Sequence, residues 1–223
     1  GSFFFKCLFF FLVFFLPSSY AEEEWTIDRF KDLSYARVSG EITHGDSLNF
    51  FISTADDCTK VYNNFTFYTY EKPGDIKQLE DKNIPIKING LDLTANVISV
   101  SPFLMGYRIS FSLGKFPIKE YIYFLKECYD EFGKYEIEIV DGVDFKVAKY
   151  FDIPVNSWKL DKLIPSINKA QNQCSQIFQT KLWLDKSADK IKLKESLYAS
   201  KKCFDAYKVY KLKKLYFYIS KYN

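Results

Sequence analysis

At 223 residues the chain is long enough for one ordinary domain with an appendage, or for two small domains. With 48% hydrophobic and 26% charged residues it can bury a sizeable core, which excludes disorder throughout. No apolar run reaches the ~20 residues that a spanning helix needs, which excludes a multi-span membrane protein.

The formal charge of +3 rests on 31 basic residues, of which 28 are Lys and 3 are Arg. Such a bias lowers the information carried by any one Lys-rich stretch.

The first segment reads as an export signal. Lys6 precedes ten consecutive apolar residues, Cys7 to Leu16. As a helix these span roughly half of a ~30 Å hydrocarbon core, enough for a signal-peptide core and too short for an anchor. Pro17 ends the helix, and Ser19-Tyr20-Ala21 places small residues at −3 and −1 of a cut after Ala21. Cys7 precedes that cut, so no lipid anchor is expected. The expected mature chain runs from Glu22 to Asn223.

Charge divides the remainder. Residues 22–155 hold 15 basic and 23 acidic side chains, whereas residues 156–223 hold 15 basic and 5 acidic. The hydrophobic period changes near the same place, so an acidic β domain at 22–155 and a basic helical segment at 156–223 are expected. In the first, strands are predicted around 36–38 and 42, then at 48–53, 65–70, 84–88, 96–100 and 107–113. His44-Gly45-Asp46 reads as a turn between two of them. Ile118, Tyr121, Ile122, Leu125 and Cys128 recur on one helical face that Pro117 starts and Gly133 ends. Residues 135–139 and 143–147 are predicted to form a hairpin about a three-residue loop, Val140-Asp141-Gly142, with Gly142 left-handed.

The second segment reads as two helices. Leu163, Ile167, Ala170 and Cys174 share one face, and Ala199, Cys203, Ala206 and Tyr210 share another. The polar stretch 185–190 separates them, and a turn near 188–189 sets Cys174 against Cys203. The expected fold class is therefore α+β. An antiparallel β-sandwich or rolled sheet carries one inserted helix and is followed by a C-terminal antiparallel helical hairpin.

Export would leave Cys58, Cys128, Cys174 and Cys203, an even number that favours disulfides. The hairpin register pairs Cys174 with Cys203 and leaves Cys58 for Cys128. One His and no CxxC argue against a metal centre, and no cofactor motif is present. Asp56-Asp57 and Asp130-Glu131 are adjacent carboxylates of a kind a hydrolase can use, but they are also ordinary loop residues. Asn64-Phe65-Thr66 is a glycosylation sequon. Tyr68 and Tyr70 alternate on one strand, at the spacing of a sugar-stacking platform, although filling the core accounts for them more simply.

The remaining candidate surface is the C-terminal helix. There Lys208, Lys211, Lys213, Lys214 and Lys221 interleave with Tyr216 and Tyr218, as in a helix lying on an anionic membrane. Docking on the acidic domain is the alternative use of the same charge. These readings lead to an exported, non-enzymatic binding or accessory protein, periplasmic in a bacterium and otherwise secreted. Its expected partner is a protein or an envelope component and not a nucleic acid. The alternatives are a peripheral envelope protein held by its C-terminal helix and a carboxylate hydrolase of envelope polymers.

Overall fold

The structure, a computed structural model, describes residues 25–200, with side chains through residue 192. Nine strands make one antiparallel sheet: β1 (Thr26–Phe30), β2 (Leu33–Ser39), β3 (Ser47–Ser53), β4 (Lys60–Thr69), β5 (Asn83–Ile88), β6 (Leu91–Phe103), β7 (Gly106–Pro117), β8 (Tyr135–Ile139) and β9 (Val155–Trp158). Their spatial order is β1-β2-β3-β4-β7-β6-β5-β8-β9. Among the described residues three α-helices accompany them: α1 (Ile118–Phe132), α2 (Val147–Tyr150) and α3 (Leu163–Ser200).

Period-two alternation decides which face is buried. Ala36 and Val38 of β2, Leu48, Phe50 and Ile52 of β3, and Val61, Phe65 and Phe67 of β4 are all at most 1% exposed. Phe65 stacks on Phe111 of β7 at 4.7 Å, and Phe67 meets Trp158 of β9 edge-on at 6.1 Å. Burying each such ring contributes roughly 2–3 kcal/mol.

β4 and β9 lie far apart in strand order, so the Phe67–Trp158 contact requires the sheet to curl. The curl also brings the loop after β2 to the last strand, where the Glu41 amide donates to the Ser157 carbonyl at 2.8 Å. The result is a half-barrel and not a two-sheet sandwich.

The expected strands are present except at Ile42, which lies in the bend after β2, and the expected helix α1 is present, ended by Gly133 in the left-handed conformation (φ 67°). The 135–139/143–147 hairpin is not. Both edges of β8 are already paired, with β5 and with β9, so residues 143–147 have no edge to occupy. Instead the Asp141 carboxylate accepts from the Val147 amide at 2.8 Å and starts α2. Gly142 lies outside the left-handed region.

The boundary expected at 155/156 falls inside β9. The compact unit that holds the sheet ends at Ser175, and Gln176 opens a second.

The expected face of Leu163, Ile167, Ala170 and Cys174 exists, and all four are fully buried. It packs on the sheet unit: Gln173 accepts from Ser34 Oγ at 2.7 Å, and Gln171 donates to the Cys58 carbonyl at 2.9 Å. This placement corrects the cysteine pairing. Cys174 is bonded to Cys58, their Cα atoms 5.9 Å apart, and Cys128, half-buried on α1, has no disulfide partner among the described residues. Cys203 lies outside the described residues. The turn expected near 188–189 is absent too, because α3 is continuous through it. A polar run such as 185–190 is no helix breaker when all of its side chains face water.

Candidate functional site

Two neighbouring features stand out, and strand direction places them. β4 and β6 end, and β7 begins, at the same edge of the sheet where the loop between β2 and β3 crosses over. At that edge His44 Nε2 lies 3.1 Å from Asp152 Oδ2. The imidazole is held edge-on between Tyr68 and Tyr70, each 5.4 Å away.

Asp46, two residues beyond His44, has other partners. Its carboxylate is buried, accepting from the Tyr68 amide and from Asn156 Nδ2, each at 2.7 Å. Burial pushes Asp46 above its ordinary value, and those two hydrogen bonds only partly offset it. For Asp152 burial acts in the same direction, but hydrogen bonds from Thr69, its own backbone and His44 outweigh it and hold the carboxyl low. Asn156 locks the corner by bonding both the amide and the carbonyl of Ile42.

Beside this corner the β6–β7 connection breaks two local rules. Leu104 takes a left-handed conformation (φ 49°), which disfavours a bulky side chain, and Leu104 and Met105 are 84% and 71% exposed. Gly106 follows because nothing larger fits: a Cβ there would stand 2.0 Å from the Thr69 carbonyl oxygen.

The second feature is the sheet face opposite the core. Register carries one polar row across seven strands: Thr26, Arg37, Asn49, Asn64, Ser112, Asn96 and Asn83 are successive direct neighbours. The next row holds hydroxyls only: Ser39, Ser47, Thr66, Ser110 and Ser99.

Within these rows Arg37 Nε donates to Asn49 Oδ1 at 2.7 Å, and Asn49 Nδ2 donates to Asn64 Oδ1 at 2.9 Å. The Thr66 and Ser110 hydroxyls are 3.0 Å apart. Asn49, Asn64 and Thr66 are only 2–6% exposed, so the rows form a sunken polar floor. Tyr35, Phe51 and Tyr62 line its lower side, with ring centroids 5.7 and 6.5 Å apart in sequence, and Tyr68 lines the upper. Arg37 lies over Tyr35 at 5.5 Å, and Arg108 lies over Phe103 at 3.8 Å.

Of the residues singled out from sequence, Tyr68 and Tyr70 come to the corner with His44. The sequon residue Asn64 is embedded in the polar floor. The adjacent carboxylates do not converge, as Asp56 pairs with Lys115 at 2.9 Å and Asp130 with Lys126 at 2.6 Å. Lys208, Lys211, Lys213, Lys214, Tyr216, Tyr218 and Lys221 lie outside the described residues, as does the leader. Among the described residues no cluster of three or more His, Cys, Asp or Glu side chains is placed to hold a metal ion, and no helix is long and apolar enough to cross a membrane.

A shallow cleft of about 410 Å³ opens between the starts of α1 and α3, lined by Thr59, Ile118, Ile122, Tyr123, Ile164 and Asn168. Lys119 and Glu120 line it as well.

Sequence reading missed Arg37, Asn49 and Arg108. For the two arginines a signal existed, since they are two of only three Arg in a Lys-rich chain. Comparison with protein-family models, with curated protein sequences and with solved structures finds no match.

Proposed function

We propose that this chain is an exported, non-enzymatic binding protein whose working surface is the sheet face opposite the core. The observation that carries the reading is the sunken polar floor. A face turned to solvent needs only exposed polar residues, yet here Asn49, Asn64 and Thr66 are buried and bonded to one another. Donors and acceptors fixed before a ligand arrives lower the ordering cost of binding. A role without catalysis is supported by Asp56 and Asp130, each paired with a lysine and so not joined in a carboxylate pair.

Export is supported by the Cys58–Cys174 disulfide, a bond that persists in oxidising compartments, together with the apolar leader. The test is material from the native cell, analysed by intact mass and thiol alkylation. A chain beginning at Glu22 with Cys58 and Cys174 unreactive is expected. A retained leader with every cysteine alkylated ends the export reading. For the surface, glycan and peptide arrays probed with the oxidised protein are expected to give selective binding that Tyr62→Ala weakens. Binding unaffected by Tyr62→Ala moves the surface elsewhere.

The exposed Leu104–Met105 turn favours a second reading, attachment to a lipid surface. Liposome sedimentation that depends on Leu104 and Met105, or on residues 208–223, supports it, and no sedimentation of the intact protein removes it.

A further inference from the structure

We infer that Arg37 and Arg108 form a recognition site for an acidic polysaccharide, with its sulfate or carboxylate groups on the guanidiniums and its sugars along the polar floor. The inference rests on the binding reading above and adds the charge class of the ligand.

Residue choice sets this face apart. In a chain that uses Lys for 28 of its 31 basic positions, two of the three arginines sit on this one face. Arg differs from Lys in its planar fork, which matches a carboxylate or sulfate bidentately, and in its ability to lie flat on a ring.

Both properties are in use. Arg37 is oriented by its Nε bond to Asn49 and by the Tyr35 ring, and Arg108 by the Phe103 ring. Neither arrangement occupies the outer nitrogens of the guanidinium.

The two arginines also lack a counter-charge among the described residues. Among the described residues lysines are paired with acids at Asp56, Asp75, Glu80, Asp92, Asp130, Glu136 and Asp141, yet neither Arg37 nor Arg108 has a carboxylate partner. Asp28, opposite Tyr35, accepts from the Arg29 amide. The two guanidiniums are also near enough to repel. Burial first, and Arg37 second, hold Arg108 below its ordinary value. Like charges held together without a partner weaken a fold, and an anionic ligand relieves that cost.

The polar floor supplies what the sugars need. The half-buried Asn96, Ser110 and Ser112 offer the mixed donors and acceptors that sugar hydroxyls need, and the half-buried Tyr35 and Tyr62 offer rings for sugar faces.

The test uses the full-length oxidised protein on three immobilised polymers: heparin, which carries sulfates; polygalacturonate, which carries carboxylates; and neutral dextran. Retention on at least one acidic polymer and not on dextran is expected, and which polymer retains it identifies the oxyanion. Arg37→Gln and Arg108→Gln should each weaken retention about tenfold or more, as lost charge-assisted hydrogen bonds do. Arg37→Lys should fail to restore it. Lys146→Gln and Lys190→Gln, each also removing one exposed positive charge, should change it less than about twofold.

Equal weakening by the lysine variants would mean unspecific attraction to a basic chain and would overturn the inference. So would tighter binding to single-stranded DNA than to either acidic polymer, or no retention on either. Dextran binding that Tyr62→Ala abolishes and the arginine variants leave alone overturns this inference while preserving the binding reading.

Discussion

Asp46 and Asp152 sit at one corner of the sheet and respond to pH with opposite signs. The folded state raises Asp46, so its protonated form is favoured, and that contribution fades as pH climbs from about 4 through the folded value. Asp152 is lowered, so its contribution is present above about pH 4 and is lost as pH falls through the folded value. Asp46→Asn should cost about 1–3 kcal/mol at neutral pH, because one buried donor then faces an amide nitrogen. Its deficit relative to the parent should widen on acidification. Asp152→Asn should cost less than about 1 kcal/mol at pH 7, and its deficit should shrink toward pH 3. Melting temperatures measured from pH 7 to pH 3 check both signs, and parallel curves would refute them.

Gly106 makes a steric prediction at the same scale. Alanine there must displace the Thr69 backbone or the Tyr68 ring, and a loss of about 2–3 kcal/mol in urea unfolding is expected. A loss below about 0.5 kcal/mol would mean that the turn is free to move.

Among the elements, α3 and its disulfide carry the sharpest claim. A bond closing 116 residues removes up to about 5 kcal/mol of loop entropy from the unfolded chain. Cys58→Ser and Cys174→Ser should therefore destabilise equally, and the double variant no further, in guanidinium unfolding. Cys128→Ser should change stability by less than about 1 kcal/mol. Additive losses at 58 and 174 would show that they are not partners.

The cysteines also show what sequence makes legible. Spacing correctly places Leu163, Ile167, Ala170 and Cys174 on one face, because helical period is a local property. It cannot say what covers that face, and the choice of a second helix over the sheet produced the wrong partner for Cys174. β4 and β7 were readable from their β-branched and aromatic runs. β9, four residues beside Pro154, was not, because its strand state depends on β8 offering an edge. The polar floor was unreadable for the same reason. Asn49 meets Asn64, and Thr66 meets Ser110, only through a register that no local window contains.

At the scale of the molecule, the half-barrel leaves β1 as an outer strand. Among the described residues Thr26–Phe30 pairs on one side only, with β2, and its other side is defended by Asp28, Arg29 and the adjoining Lys31. Replacing both Asp28 and Arg29 with Val should produce concentration-dependent species larger than the parent on size-exclusion chromatography. An unchanged elution volume would show that charge is not what protects this edge.

The Cys58–Cys174 bond has a temporal meaning as well as an energetic one. Ribosomes make Cys174 only after every strand from β1 to β9 has been synthesised, so no unfinished sheet can be sealed. Covalent closure thus works as a checkpoint on completeness: a polypeptide that stalls early stays open and within reach of proteases.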